Sequence, residues 1–253
     1  MNQSVPTLRI MGCDVFLLVT LLIMPTLSFA SQSGFIQWHS TNIQLLRGGE
    51  YELGSQQRTI MTFEHANRWS YGDFYIFGDK DWRDVGDSAY YVEPTLRVSF
   101  NKLYGEKLTS GIVKDVFIAG QIEKPKGQRP RTLIGLSADL DVAGFRFFKT
   151  MLFLRDNPDL AGDTQQFTFA WNYPFSVAGI DFLTEGFADI AGSEGTSVAN
   201  QLFVPRLLID IGQASGWHAN TLWLGIEWQY WHNKFGVKGV TESVPQLQVK
   251  YVF

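Results

Sequence analysis

Between positions 73 and 79 every second residue carries a side chain with chemical reach: Asp73, Tyr75, Phe77 and Asp79. At a spacing of two, an extended strand places all four on one face. An aromatic ring stacks on a flat heterocycle, and a carboxylate accepts hydrogen bonds from hydroxyl groups. An acid, two rings and a second acid in a row therefore suit a flat ligand that bears hydroxyls. The same register continues through Tyr91, Glu93 and Arg97, then through Asp115, Glu123, Asp139, Phe147, Lys149 and Arg155. A last group is Glu185, Asp189, Arg206, Asp210, Trp223 and Glu227. Both signs of charge are interleaved, so these residues could equally pair with one another and fill the space they face. Residue type alone leaves both readings open.

Catalysis and metal binding find no comparable pattern. His39, His65, His218 and His232 show no metal-ligand spacing, and no GxSxG elbow occurs. The chain is read as a non-enzyme without metal or cofactor.

The elements that must hold these side chains follow from alternation. In Tyr90–Phe100 one face carries Tyr90, Val92, Pro94, Leu96, Val98 and Phe100, and the other Tyr91, Glu93, Thr95, Arg97 and Ser99. The pattern recurs in 166–173, 221–231 and 245–253. Strands are expected at 35–46, 57–65, 71–79, 89–100, 112–123, 131–141, 145–156, 165–174, 179–190, 201–211, 220–231 and 244–253, with turn-rich segments between them. No apolar helical period longer than two turns follows residue 30, and no linker or repeat divides the chain.

Composition narrows the class. Lys and Arg number 21 against 25 Asp and Glu, which lacks the basic excess of a nucleic-acid binder. Apolar residues make up 45%, too many for a disordered chain. Mean hydropathy is −0.05, too polar for a bundle of membrane helices. A soluble sandwich uses strands of about five or six residues, whereas a membrane barrel needs about ten. The strands expected here are about ten long, even in number and rich in terminal aromatics such as Trp38, Trp69, Tyr71, Tyr173, Trp231 and Tyr251. The fold class is all-β: a single closed antiparallel transmembrane β-barrel of about twelve strands over residues 31–253.

Residues 1–30 read as a signal peptide. Arg9 precedes the apolar stretch Val15–Met24, and Ser28-Phe29-Ala30 supplies a small-x-small cleavage site. Cys13 stands before the apolar stretch, the wrong side for a lipid-attachment site, and it leaves with the peptide. An exported chain without cysteine has no disulfide framework. The final strand, with Leu247, Val249, Tyr251 and Phe253 on one face, looks like the terminal signal read by the outer-membrane barrel-assembly machinery.

Several blocks resemble the nucleoside-specific outer-membrane channels, the Tsx and OmpK family. They are Trp38-His39-Ser40-Thr41-Asn42; Thr62-Phe63-Glu64-His65-Ala66 with Trp69 and Gly72-Asp73-Phe74; Gly225 to Gly236; and Gln246 to Phe253. The resemblance spans residues 31–253 and is most specific at Asn233-Lys234-Phe235-Gly236. It implies a monomeric twelve-stranded barrel in outer-membrane lipid, a selective pore for nucleosides, and surface loops that serve phages or colicins. The other reading is a surface or adhesion barrel with a plugged lumen, whose activity lies in the connections 79–89, 124–131 and 156–164.

Overall fold

The structure is a computed structural model that describes residues 34–253. The expected signal peptide, its cleavage site at Ala30 and Cys13 lie outside the described residues.

Twelve strands form one closed sheet. They are β1 Ile36–Gly49, β2 Gln57–Trp69, β3 Gly72–Arg83, β4 Ala89–Ser99, β5 Val113–Pro125 and β6 Arg131–Leu140. The circuit continues with β7 Phe147–Asp156, β8 Thr164–Val177, β9 Ile180–Ala191, β10 Asn200–Asp210, β11 Leu222–His232 and β12 Thr241–Val252. Each strand pairs antiparallel with its neighbours in sequence, and β12 closes on β1 from Asn42 opposite Val252 to Gly48 opposite Gln246. Closure removes the sheet edges, which would otherwise leave unpaired backbone groups in hydrocarbon.

The alternation seen in sequence is the alternation of wall faces. In β12, Glu242, Val244, Gln246, Gln248 and Lys250 are buried, while Thr241, Ser243, Pro245, Leu247 and Val249 are exposed. The exterior is apolar all round: Leu96, Ile118, Ile134, Leu136, Leu152, Leu154, Leu207, Ile226 and Leu247 face outwards and are exposed. A band of that kind is the surface a bilayer solvates. Aromatic rings edge it. Phe35, Trp69 and Tyr71 cluster with centroids 5.1 and 5.7 Å apart at the end holding the termini, and Trp217, Tyr251 and Phe253 lie at that end too. Trp82, Tyr90, Trp228 and Tyr230 mark the opposite end.

The sequence places all twelve strands but cuts several short: β1, β2, β3 and β8 each run three or four residues further. Gly48-Gly49 and Asn67 read as turn residues, and 80–83 lie in the connection expected at 79–89, yet pairing against a neighbour holds them in the ladder. The connections shrink accordingly. At the end opposite the termini they cover 50–56, 84–88, 126–130, 157–163, 192–199 and 233–240. At the other end Ala178 and Gly179, with φ of 52° and 81°, make the two-residue hairpin turn that requires positive φ at both positions. Two short helices, α1 Phe100–Tyr104 and α2 Ile211–Ala214, lie on the longer connections there, capped by Ser99 and Asp210.

Two glycines let the wall bend. A Cβ on Gly135 would stand 1.9 Å from the Leu152 carbonyl oxygen, and one on Gly225 would stand 1.9 Å from that of Leu207. Both occupy inward positions where neighbouring strands press too close for any side chain.

Candidate functional site: the barrel lumen

Every inward residue expected from sequence lies on the inward register, and most of them are engaged. Several ion-pair centres divide the space: three are built around arginines expected from sequence, and others join Asp81 to Arg58 and Arg83, and Lys234 to Glu242. In the first, the Arg206 guanidinium on β10 meets Glu227 at 2.6 Å, Glu64 at 2.9 Å and Glu185 at 3.5 Å. Lys250 also pairs with Glu185, while Asn42, Gln246 and Asn172 donate to the remaining carboxylate oxygens of Glu64, Glu227 and Glu185. Three carboxylates share two cations, and amides satisfy the rest, as a low-dielectric interior requires.

The second centre is Arg97 on β4. It donates to Asp73 through Nε at 2.8 Å, to Asp139 at 2.7 Å and to Ser137 at 2.8 Å, with its guanidinium 4.1 Å from the Phe117 ring centroid. Lys149 reaches Asp73 from β7 at 3.5 Å and lies 5.4 Å from the centroid of Phe147, which stands exposed at the rim. The third centre joins Arg155 to Glu123 at 2.9 Å and to Glu194 at 3.0 Å, with Arg131 also on Glu123 at 3.2 Å.

Other expected residues have structural tasks. Asp210 caps α2 by accepting from the Gln213 amide at 2.9 Å. Asp115 accepts from the Ser99 hydroxyl at 2.6 Å and its neighbour's amide at 2.8 Å. Trp223 packs with Leu183 and Leu208 in an apolar cluster inside the barrel, and Ala119, Leu133, Met151 and Phe153 form a second one.

Three further inward carboxylates pair with no cation among the described residues. There Asp79 accepts only from the Thr62 hydroxyl at 2.6 Å, Glu93 only from the Tyr91 hydroxyl at 2.5 Å, and Asp189 only from Thr168 and Gln166. Asp79 and Glu93 stand on the adjacent strands β3 and β4, and Asp189 faces the same lumen from β9. Beside them the rings of Tyr75 and Phe77 lie 6.1 Å apart, and those of Phe77 and Tyr91 5.6 Å. Adjacent strands set this up: Phe77 faces Glu93, and Asp79 faces Tyr91, across the β3–β4 ladder. Acceptors and ring faces of the kind a flat hydroxylated ligand needs thus meet on β3 and β4.

Sequence reasoning missed Glu64, Lys250, Glu194, Lys234, Glu242 and Tyr51. Glu64 and Glu242 sit on the inward register of β2 and at the start of β12, where extending the alternation would have found them, and Lys250 lies on the polar face already read in the last strand. Tyr51, Glu194 and Lys234 lie outside the strands, where no periodicity marks them. Trp231, expected among the outer rings, points inwards instead and stands 5.2 Å from the Lys234 ammonium. Arg129 and Asp159 pair at 2.8 Å between two connections, and the hydrogen bond from Arg129 holds the Asp159 carboxyl below the usual range.

No protein-family model matches the chain, and no curated protein matches it. Among solved structures it is similar to the outer-membrane protein Omp33 of Acinetobacter baumannii. That match has a TM-score of 0.38 and 9% identity, over 87% of this chain and 100% of the other. It is also similar to the translocator domain of the autotransporter NalP from Neisseria meningitidis, with a TM-score of 0.32 and 10% identity over 85% of this chain and 88% of that one.

Proposed function

We propose that the protein is an outer-membrane channel for passive diffusion of nucleosides or similar small polar ring solutes. The observation that carries this reading is the patch of Tyr75, Phe77 and Tyr91 beside Asp79 and Glu93, with Asp189 facing the same lumen from β9; among the described residues these carboxylates have only neutral partners. A base stacks on a ring, and the ribose hydroxyls donate to the acids. The ion-pair centres keep the remaining lumen charge neutralised, and a twelve-stranded bore is expected to be narrower than that of a porin of about 16 strands. The resemblance to the nucleoside channels points the same way.

The alternative is a surface or receptor barrel. The density of cross-lumen ion pairs favours a filled interior, but the connections opposite the termini are only five to eight residues long and offer little for an outside partner to grip. Uptake of labelled uridine into proteoliposomes separates the two: a channel equilibrates it faster than protein-free vesicles, and a filled receptor barrel does not.

A further inference from the structure

Three connections at the end opposite the termini each send one side chain back into the barrel, and all three are almost fully buried: Tyr51, Glu194 and Lys234 at 2%, 3% and 2% exposure. Residues that leave a strand for a surface loop ordinarily face water. Each of these instead finds a partner on the inward face of the wall. The Tyr51 hydroxyl donates to Gln246 Oε1 at 2.6 Å, and its ring lies 4.2 Å from the Arg58 guanidinium. Glu194 accepts from Arg155 at 3.0 Å and from the Asn157 amide at 2.6 Å. Lys234 pairs with Glu242 and lies 5.2 Å from the Trp231 and Phe235 rings and 5.7 Å from that of Tyr51.

The backbone is shaped for this. Glu50 adopts φ 68°, a left-handed turn that folds the chain inwards directly after β1. The Glu52 amide then donates to Glu242 at 3.0 Å, and Arg58 holds the Ser55 carbonyl at 3.0 Å. Asn233 and Phe235 are left-handed as well, with φ of 49° and 56°, and put Lys234 between them inside the mouth. The connections also bind one another: the Val198 amide donates to the Gly236 carbonyl at 3.0 Å, and Asn233 donates to the Ala199 carbonyl at 2.9 Å.

We infer that segments 50–56, 192–199 and 233–240 form a latched cap over one mouth of the barrel, and that Tyr51, Glu194 and Lys234 are its three latches. The cap rests on the channel reading for its purpose, which is to gate the lumen. Its geometry stands apart from that reading. Two latches are ion pairs and one is a neutral hydrogen bond with a ring over a guanidinium, so each can be cut separately. Opening requires only that short connections swing outwards, with the twelve-stranded ladder intact.

The test places a thiol beneath the cap. Gln248 is fully buried, one inward position below the Gln246 that Tyr51 holds. In a Cys13→Ser background, Gln248→Cys becomes the one thiol, and its labelling by a small methanethiosulfonate is timed on the folded barrel in detergent. Adding Glu194→Gln and Lys234→Gln should speed labelling about tenfold or more, the shift expected from losing charge-assisted hydrogen bonds. Folding is checked by the heat-sensitive gel mobility of closed barrels. Should the double change block folding, Tyr51→Ala alone cuts the neutral latch and should give the same direction. Equal labelling rates in latched and unlatched folded protein overturn the cap. Faster labelling without any solute-sensitive conductance supports the cap and removes the channel reading instead.

Discussion

Arg206 Nη1 and Glu64 Oε1 lie 2.9 Å apart although 142 positions separate them, and together they span the lumen from β10 to β2. The bond is one arm of a centre in which Arg206 also holds Glu185 and Glu227. Removing the guanidinium leaves three glutamates facing Lys250 alone. Arg206→Ala should lower stability by about 3–5 kcal/mol, the cost of breaking a buried pair from one side. Urea unfolding of the barrel in lipid reads this, and an unchanged midpoint would show that the centre adds nothing.

Glu93 and Asp189 behave differently because no cation depends on them. Glu93→Gln and Asp189→Asn keep the hydrogen-bonding size of each side chain and should leave unfolding midpoints nearly unchanged. Each should weaken solute affinity about tenfold, the worth of one hydrogen bond. Concentration dependence of solute flux measures it, and a collapse of folding in either variant would assign these acids to the framework.

Leu96 faces the exterior of β4 and is 46% exposed. Leu96→Arg should cost about 2–4 kcal/mol if that position lies near the bilayer midplane, and less towards an interface. The same substitution at Tyr90, at the strand end, should be milder. Equal costs at both positions would argue against a hydrocarbon band around the wall.

Gly135→Ala places a methyl against the Leu152 carbonyl, where 1.9 Å is available. The strands must part to admit it, and a cost of about 1–3 kcal/mol or more is expected from overpacking. Folded yield on refolding into detergent should fall. A wild-type yield would mean the wall flexes there more freely than its geometry indicates.

The architecture was largely legible because a barrel repeats one rule. Side chains alternate in and out along every strand, so Leu96 outside and Arg97 inside announce both faces from their spacing. Strand ends were less legible: Gly48-Gly49 have turn composition and 80–83 follow the expected end of β3 at 79, but cross-strand pairing decides where a ladder stops. Which inward residues pair was not legible at all. Arg97 meets Asp139 from two strands away and Arg206 meets Glu64 from the far wall, partnerships fixed by register and bore. The inward turn of Tyr51 depends on left-handed backbone at Glu50, which carried no local signal, whereas Asn233 marked a turn without showing that Lys234 would enter the mouth.

The central claim is that the ring-and-acid patch of β3 and β4 receives a passing nucleoside. Planar-bilayer recordings of the folded barrel, with adenosine or thymidine added at rising concentration, test it most directly. The account predicts a conductance that either nucleoside blocks in a saturable way, with the block weakened in Tyr75→Ala and Tyr91→Ala while the barrel stays folded. A conductance that neither nucleoside reduces, or a block indifferent to both substitutions, would contradict it.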